Sequence, residues 1–69
     1  MSGGGVVLTP RERQIVRLLC EGCSNRQIAE KLGLRAQTVK NQLTAVFAKV
    51  GVSTRLQLAV YAVRHGLDR

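Results

Sequence analysis

The sequence predicts an all-α fold, a compact four-helix domain with a central helix-turn-helix. Three observations predict it. Apolar residues recur at helical spacing, and no segment alternates with the period of a half-buried strand. Three boxes of the form Ser/Thr-x-x-Glu/Gln announce helix starts at Thr9, Ser24 and Thr54. Glycines stand just past the apolar stripes, at Gly22, Gly33, Gly51 and Gly66. The helices are expected at about 10–21, 25–32, 36–50 and 55–65.

In the first helix Thr9 caps, Pro10 suits the first helical position and Glu12 bonds back to the cap. Ile15, Val16, Leu18 and Leu19 form its inner stripe. Glu12 shares that arc, which suits the capping box and an internal ion pair rather than catalysis. The second helix opens at Ser24-Asn25-Arg26-Gln27 and turns Ile28, Ala29 and Leu32 inward. In the third, Val39, Leu43, Val46, Phe47 and Val50 gather on one side. Thr54-Arg55-Leu56-Gln57 opens the fourth. Ser2-Gly3-Gly4-Gly5 reads as a flexible linker or tag remnant, so residues 1–7 are set apart from a domain at 8–69.

Sixty-nine residues make one small domain with little room for both a core and a catalytic cleft. Eleven basic residues oppose four acidic ones, a net charge of +7. Between Glu30 and Asp68 no acid appears, while Lys31, Arg35, Lys40, Lys49, Arg55 and Arg64 do, which is the footprint of a polyanion binder. No apolar run reaches the ~20 residues of a membrane span. No signal peptide is seen, so a cytoplasmic protein without a membrane partner is expected. Cys20 and Cys23 are too few for a disulfide framework, and with His65 they make too few ligands for zinc. Cys20 lies near a helix C-terminus, where the dipole opposes a thiolate, so packing is its expected role. His65 is expected to be solvated. No nucleophile–base pair and no phosphate-cradling glycine loop is present. No catalytic residue, metal or cofactor is therefore expected, and the chain does not read as an enzyme.

The second helix is too short to be stable alone and must pack against the third. Ala29 permits close crossing, Gly33 supplies the turn, and Val39 points into the joint, as in a helix-turn-helix. Opposite the core stripe of the third helix lie Gln37, Lys40, Asn41, Thr44 and Ala48, with no acid among them. Asn and Gln can pair with adenine edges, and Lys can reach guanine acceptors or phosphate. A merely solvated helix face would more often mix Glu with Lys.

These residues resemble a known family. Leu8-Thr9-Pro10-Arg11-Glu12-Arg13, Glu21-Gly22, Ser24-Asn25-Arg26-Gln27-Ile28-Ala29, Leu32-Gly33, Thr38-Val39-Lys40-Asn41 and Lys49-Val50-Gly51-Val52 look like the LuxR-type domain. That domain is the output half of FixJ/NarL-like response regulators and of quorum-sensing regulators. The resemblance covers residues 8 to 67. It implies sequence-specific binding of double-stranded DNA and regulation of transcription, with helix 36–50 in the major groove. Gln37, Lys40, Asn41 and Thr44 would then face bases. Ser24, Asn25, Arg26, Thr38 and Arg55 would contact phosphate, with Arg35 as a further phosphate candidate. Arg35 departs from the family's usual capping Ser, and Gln42 from its frequent His.

From Leu56 to Val63 every residue but Gln57 is apolar. Leu58, Ala59, Ala62 and Tyr61 can meet the core, which leaves Leu56, Val60 and Val63 over. The resemblance makes this last helix the interface of a homodimer on DNA, at Leu56, Val60, Val63 and Arg64. RNA polymerase and an N-terminal receiver or ligand-sensing domain absent from this chain are further expected partners. Two rivals remain: a sigma-factor region-four-like promoter-binding module, and a small helical protein–protein adaptor. The apolar fourth helix argues against the first rival.

Overall fold

A computed structural model describes residues 6–68. Its elements are α1 (Pro10–Cys20), α2 (Asn25–Leu32), α3 (Ala36–Val50) and α4 (Arg55–Arg64). Among the described residues there is no strand, and no single helix is long and apolar enough to cross a membrane. Most of the expected linker at 1–7 lies outside the described residues. Of its last two positions, Val7 is exposed and Val6 packs against the core.

Each expected capping box forms. Thr9, Ser24 and Thr54 accept from the backbone N–H of Glu12, Gln27 and Gln57, and those side chains accept in return from the cap N–H. Each box satisfies backbone donors that a helix start would otherwise leave orphaned. α3 is the exception: Arg35 at its N-cap makes no side-chain capping bond.

α2 ends on Gly33 at φ 68°, a left-handed conformation that a side chain would strain. The N–H of Leu34 then reaches back to the carbonyl of Ala29 at 2.8 Å, and residues 33–35 turn the chain into α3. Gly51 closes α3 in the same way. α1 and α4 each stop one residue before the expected end. At His65 the backbone has left helical geometry (φ −107°, ψ 10°).

One core lies where the four helices meet. Ile15, Val16, Ile28, Val39, Val46 and Leu58 are fully buried. Each such side chain contributes ~1.5–3 kcal/mol of transfer free energy. Leu18, Phe47 and Val50 are only half-buried, so the inner stripes are narrower than the sequence pattern. Leu8 and Leu67 join the core from outside any helix. The N–H of Leu67 bonds the carbonyl of Ala62 at 2.8 Å, folding the tail over the domain.

Glu12 is the one buried charged residue among those described, 6% exposed. Its Oε1 accepts from the N–H of Thr9 at 2.8 Å and from Nζ of Lys49 at 2.8 Å. The internal ion pair thus joins the start of α1 to the last turn of α3. The Lys49 hydrogen bond and then the Thr9 N–H hold the Glu12 carboxyl below its ordinary pKa. Cys20 and Cys23 are free and half-buried, and Cys20 Sγ lies 4.0 Å from the carbonyl of Ala59. Burial pushes the Cys20 thiol up, with help from Asp68 and Glu21, in keeping with a packing role.

Candidate nucleic-acid interface

The outward face of α3 is open. Gln37, Lys40, Asn41, Thr44 and Ala48 are all exposed, and Thr38 is half-buried on its flank. Three of these side chains are ordered within the helix. Gln37 Nε2 donates to Asn41 Oδ1 at 2.9 Å, which leaves the Asn41 NH2 and the Gln37 Oε1 turned to other partners. Thr44 Oγ1 donates to the carbonyl of Lys40 at 3.0 Å and keeps its lone pairs as acceptors. The face therefore offers donors, acceptors, a cation and a methyl group, and no carboxylate.

The starts of α2 and α4 flank this face. Ser24 caps α2, Asn25 is half-buried and Arg26 is exposed. Arg55, the first residue of α4, reaches across with both terminal nitrogens. Nη1 donates to Asn25 Oδ1 at 2.8 Å and Nη2 to the carbonyl of Cys23 at 2.6 Å. Asn25, Lys40, Leu43, Thr44, Phe47 and Arg55 line one open concavity. Four of the expected contact residues (Asn25, Lys40, Thr44 and Arg55) thus meet in a single hollow. Gln37 and Asn41 continue the α3 face beyond it. Ser24, Arg26, Arg35 and Thr38 lie outside its lining.

No acid lines this hollow. Glu12 is engaged internally, Glu21 pairs with Arg17 at 3.7 Å, and neither α3 nor α4 contains an acid. Lys49 is withdrawn from it, because its ammonium is held by Glu12. The basic excess of the second half therefore does not all lie on this surface. Reading by local pattern also missed the Arg55–Asn25 bond, which spans thirty residues.

The outer side of α4 forms a second surface. Leu56 is 74% exposed, Val63 60% and Val60 44%, with Arg64 exposed beside them. Val60, Val63 and Arg64 line a shallow apolar groove that contains none of the expected DNA contacts. His65 stands at the end of α4, exposed and stacked on Tyr61 with ring centroids 4.1 Å apart. No cluster of three or more metal-ligating side chains is found among the described residues.

The chain is similar to known proteins in sequence and in fold. Residues 6–62 match the family model described as bacterial regulatory proteins, luxR family. The transcriptional regulatory protein LiaR of Bacillus subtilis is 45% identical over 60 residues, covering 87% of this chain and 28% of LiaR. The DNA-binding transcriptional activator DevR/DosR of Mycobacterium tuberculosis is 46% identical over 55 residues, 80% of this chain and 25% of that protein. A longer M. tuberculosis protein, named as an HTH-type transcriptional regulator, is 49% identical over 59 residues, 86% of this chain and 7% of its own length. The chain therefore spans a small part of these relatives. Among solved structures, that of the transcription factor GerE superposes with a TM-score of 0.81 at 37% identity, covering 87% of this chain and 90% of GerE.

Proposed function

This chain belongs to the luxR family of bacterial regulatory proteins, and on that premise we propose that it is the DNA-reading module of a transcription regulator, with α3 in the major groove. The observation that carries the reading is the exposed, acid-free face of α3, which shares one hollow with the first residues of α2 and α4. Gln37, Lys40, Asn41 and Thr44 face base edges. Ser24, Asn25, Arg26, Arg35, Thr38 and Arg55 lie along the sugar-phosphate backbone. Phosphate contacts supply affinity and release counterions, while base contacts supply discrimination. The action is binding, not catalysis.

The apolar outer side of α4 (Leu56, Val60 and Val63, with Arg64) pairs two copies on DNA. Two recognition helices then sit about one turn, ~34 Å, apart on a palindrome-like site. A cytoplasmic regulator of this design takes its signal from a receiver or ligand-sensing domain of a longer protein and passes it to RNA polymerase.

Selection of bound sequences from a random duplex pool tests this reading. The expected result is a motif with two symmetric half-sites and binding that weakens steeply with salt. Absence of any salt-sensitive binding to duplex DNA would sink it in favour of a protein–protein adaptor. A single asymmetric site together with binding to core polymerase would favour a promoter-binding module of the sigma type.

A further inference from the structure

We propose that Arg55 and Asn25 act as one phosphate-binding unit, in which Arg55 is the positioning residue that turns the Asn25 NH2 toward the nucleic acid. The inference rests on the DNA-binding reading above and adds to it a coupling between two residues thirty positions apart.

The argument begins with what a guanidinium can do. It only donates. Its bond to Asn25 at 2.8 Å therefore requires the carboxamide oxygen to face Arg55, and the NH2 must turn the other way. Asn25 lines the hollow with Lys40, Thr44 and Arg55, so the freed donor belongs to the surface proposed to meet phosphate. Without Arg55, nothing in the hydrogen-bond geometry distinguishes the two ends of this carboxamide.

The clamp is built on rigid supports. Asn25 follows Ser24 directly and lies within the Ser24–Gln27 capping box. Arg55 follows Thr54, and Gln57 Oε1 accepts from the N–H of both Ser53 and Thr54 at 2.8 and 3.1 Å. The second bond, to the carbonyl of Cys23 at 2.6 Å, fixes the guanidinium plane as a fork. Helix stability does not explain the residue, because a cation in the first turn of a helix is disfavoured by the dipole. With one N–H on Asn25 and one on Cys23, the remaining N–H groups of Arg55 can still meet the phosphate that Asn25 contacts.

A double-mutant cycle on the full chain tests the coupling, using a random-sequence duplex as probe because phosphate contacts carry no sequence information. Affinity is measured for the parent, N25A, R55A and the double variant, well below each one's melting temperature. The expected result is that the double variant binds at least about five-fold more tightly than the product of the single losses demands. R55A should flatten the salt slope by about 0.9, and adding N25A should flatten it no further. In nuclear magnetic resonance spectra the Asn25 side-chain NH2 signals should move on adding duplex to the parent, and should not move in R55A. Losses that multiply to within about twofold, or unaltered movement of those signals in R55A, overturn the coupling and leave DNA binding standing. Failure of the parent to bind any duplex at low salt removes the underlying reading, and this one with it.

Discussion

The two ends of α3 are built on opposite plans. At the C-terminal end Gly51 closes the helix, Val46 is fully buried, and Lys49 is tied to the buried carboxylate of Glu12. At the N-terminal end Arg35 leaves the cap unmade, and Gln37, Lys40 and Asn41 stand in solvent. The difference teaches how one helix can be both fixed and available. Val39 and Val46 pack both ends into the core and the charge pair adds a tie at the far one, so the outer side of the near end can present polar groups that add little to stability.

The sharpest way to break this comparison is at the held end. Lys49→Ala leaves Glu12 inside the protein without its cation and should lower unfolding stability by ~2–3 kcal/mol. That is less than the ~3–5 kcal/mol of a fully buried pair, because the Lys49 side chain is 41% exposed. Chemical denaturation measures it, and a loss near zero would show that apolar contacts alone hold this end. The same pair sets a pH dependence. Because the folded state depresses the Glu12 pKa, its contribution is fully present above the ordinary carboxylate pKa and is lost as pH falls through the lowered folded value. Acid titration of thermal stability should therefore fall more steeply for the parent than for Lys49→Ala, and equal slopes would count against the pair.

Gly51→Ala should cost ~1–2 kcal/mol. No atom lies within 4 Å of the added methyl, so the cost is that of the left-handed backbone at φ 82°. At the open end the sign reverses. Arg35→Ser supplies the missing cap and should stabilise the domain by ~1 kcal/mol while removing a cation from the proposed DNA surface. Thermal melting together with the salt slope of binding reads both effects, and a gain in stability without weaker DNA binding would remove Arg35 from that surface. The smallest change is expected at the exposed pair Arg17–Glu21, 3.7 Å apart with side chains 61% and 51% exposed. Arg17→Ala should alter stability by no more than ~0.5 kcal/mol, and a larger loss would mean that α1 depends on surface charge after all.

By itself the sequence determined the four helices, the helix-turn-helix joint, the open face of α3 and the apolar excess of α4. Each of these is written in signals that act over three or four residues: capping boxes, glycines that accept positive φ, and apolar residues recurring at helical spacing. Tertiary structure alone decided that Lys49 turns inward to Glu12, that Arg55 reaches Asn25 and Cys23, and that Leu8 and Leu67 close the core. The partners in the two side-chain links lie thirty or more residues apart, and the two leucines sit outside any helical stripe. A hydrogen bond or an ion pair leaves no periodic trace along the chain, because its partners become neighbours only when the helices pack.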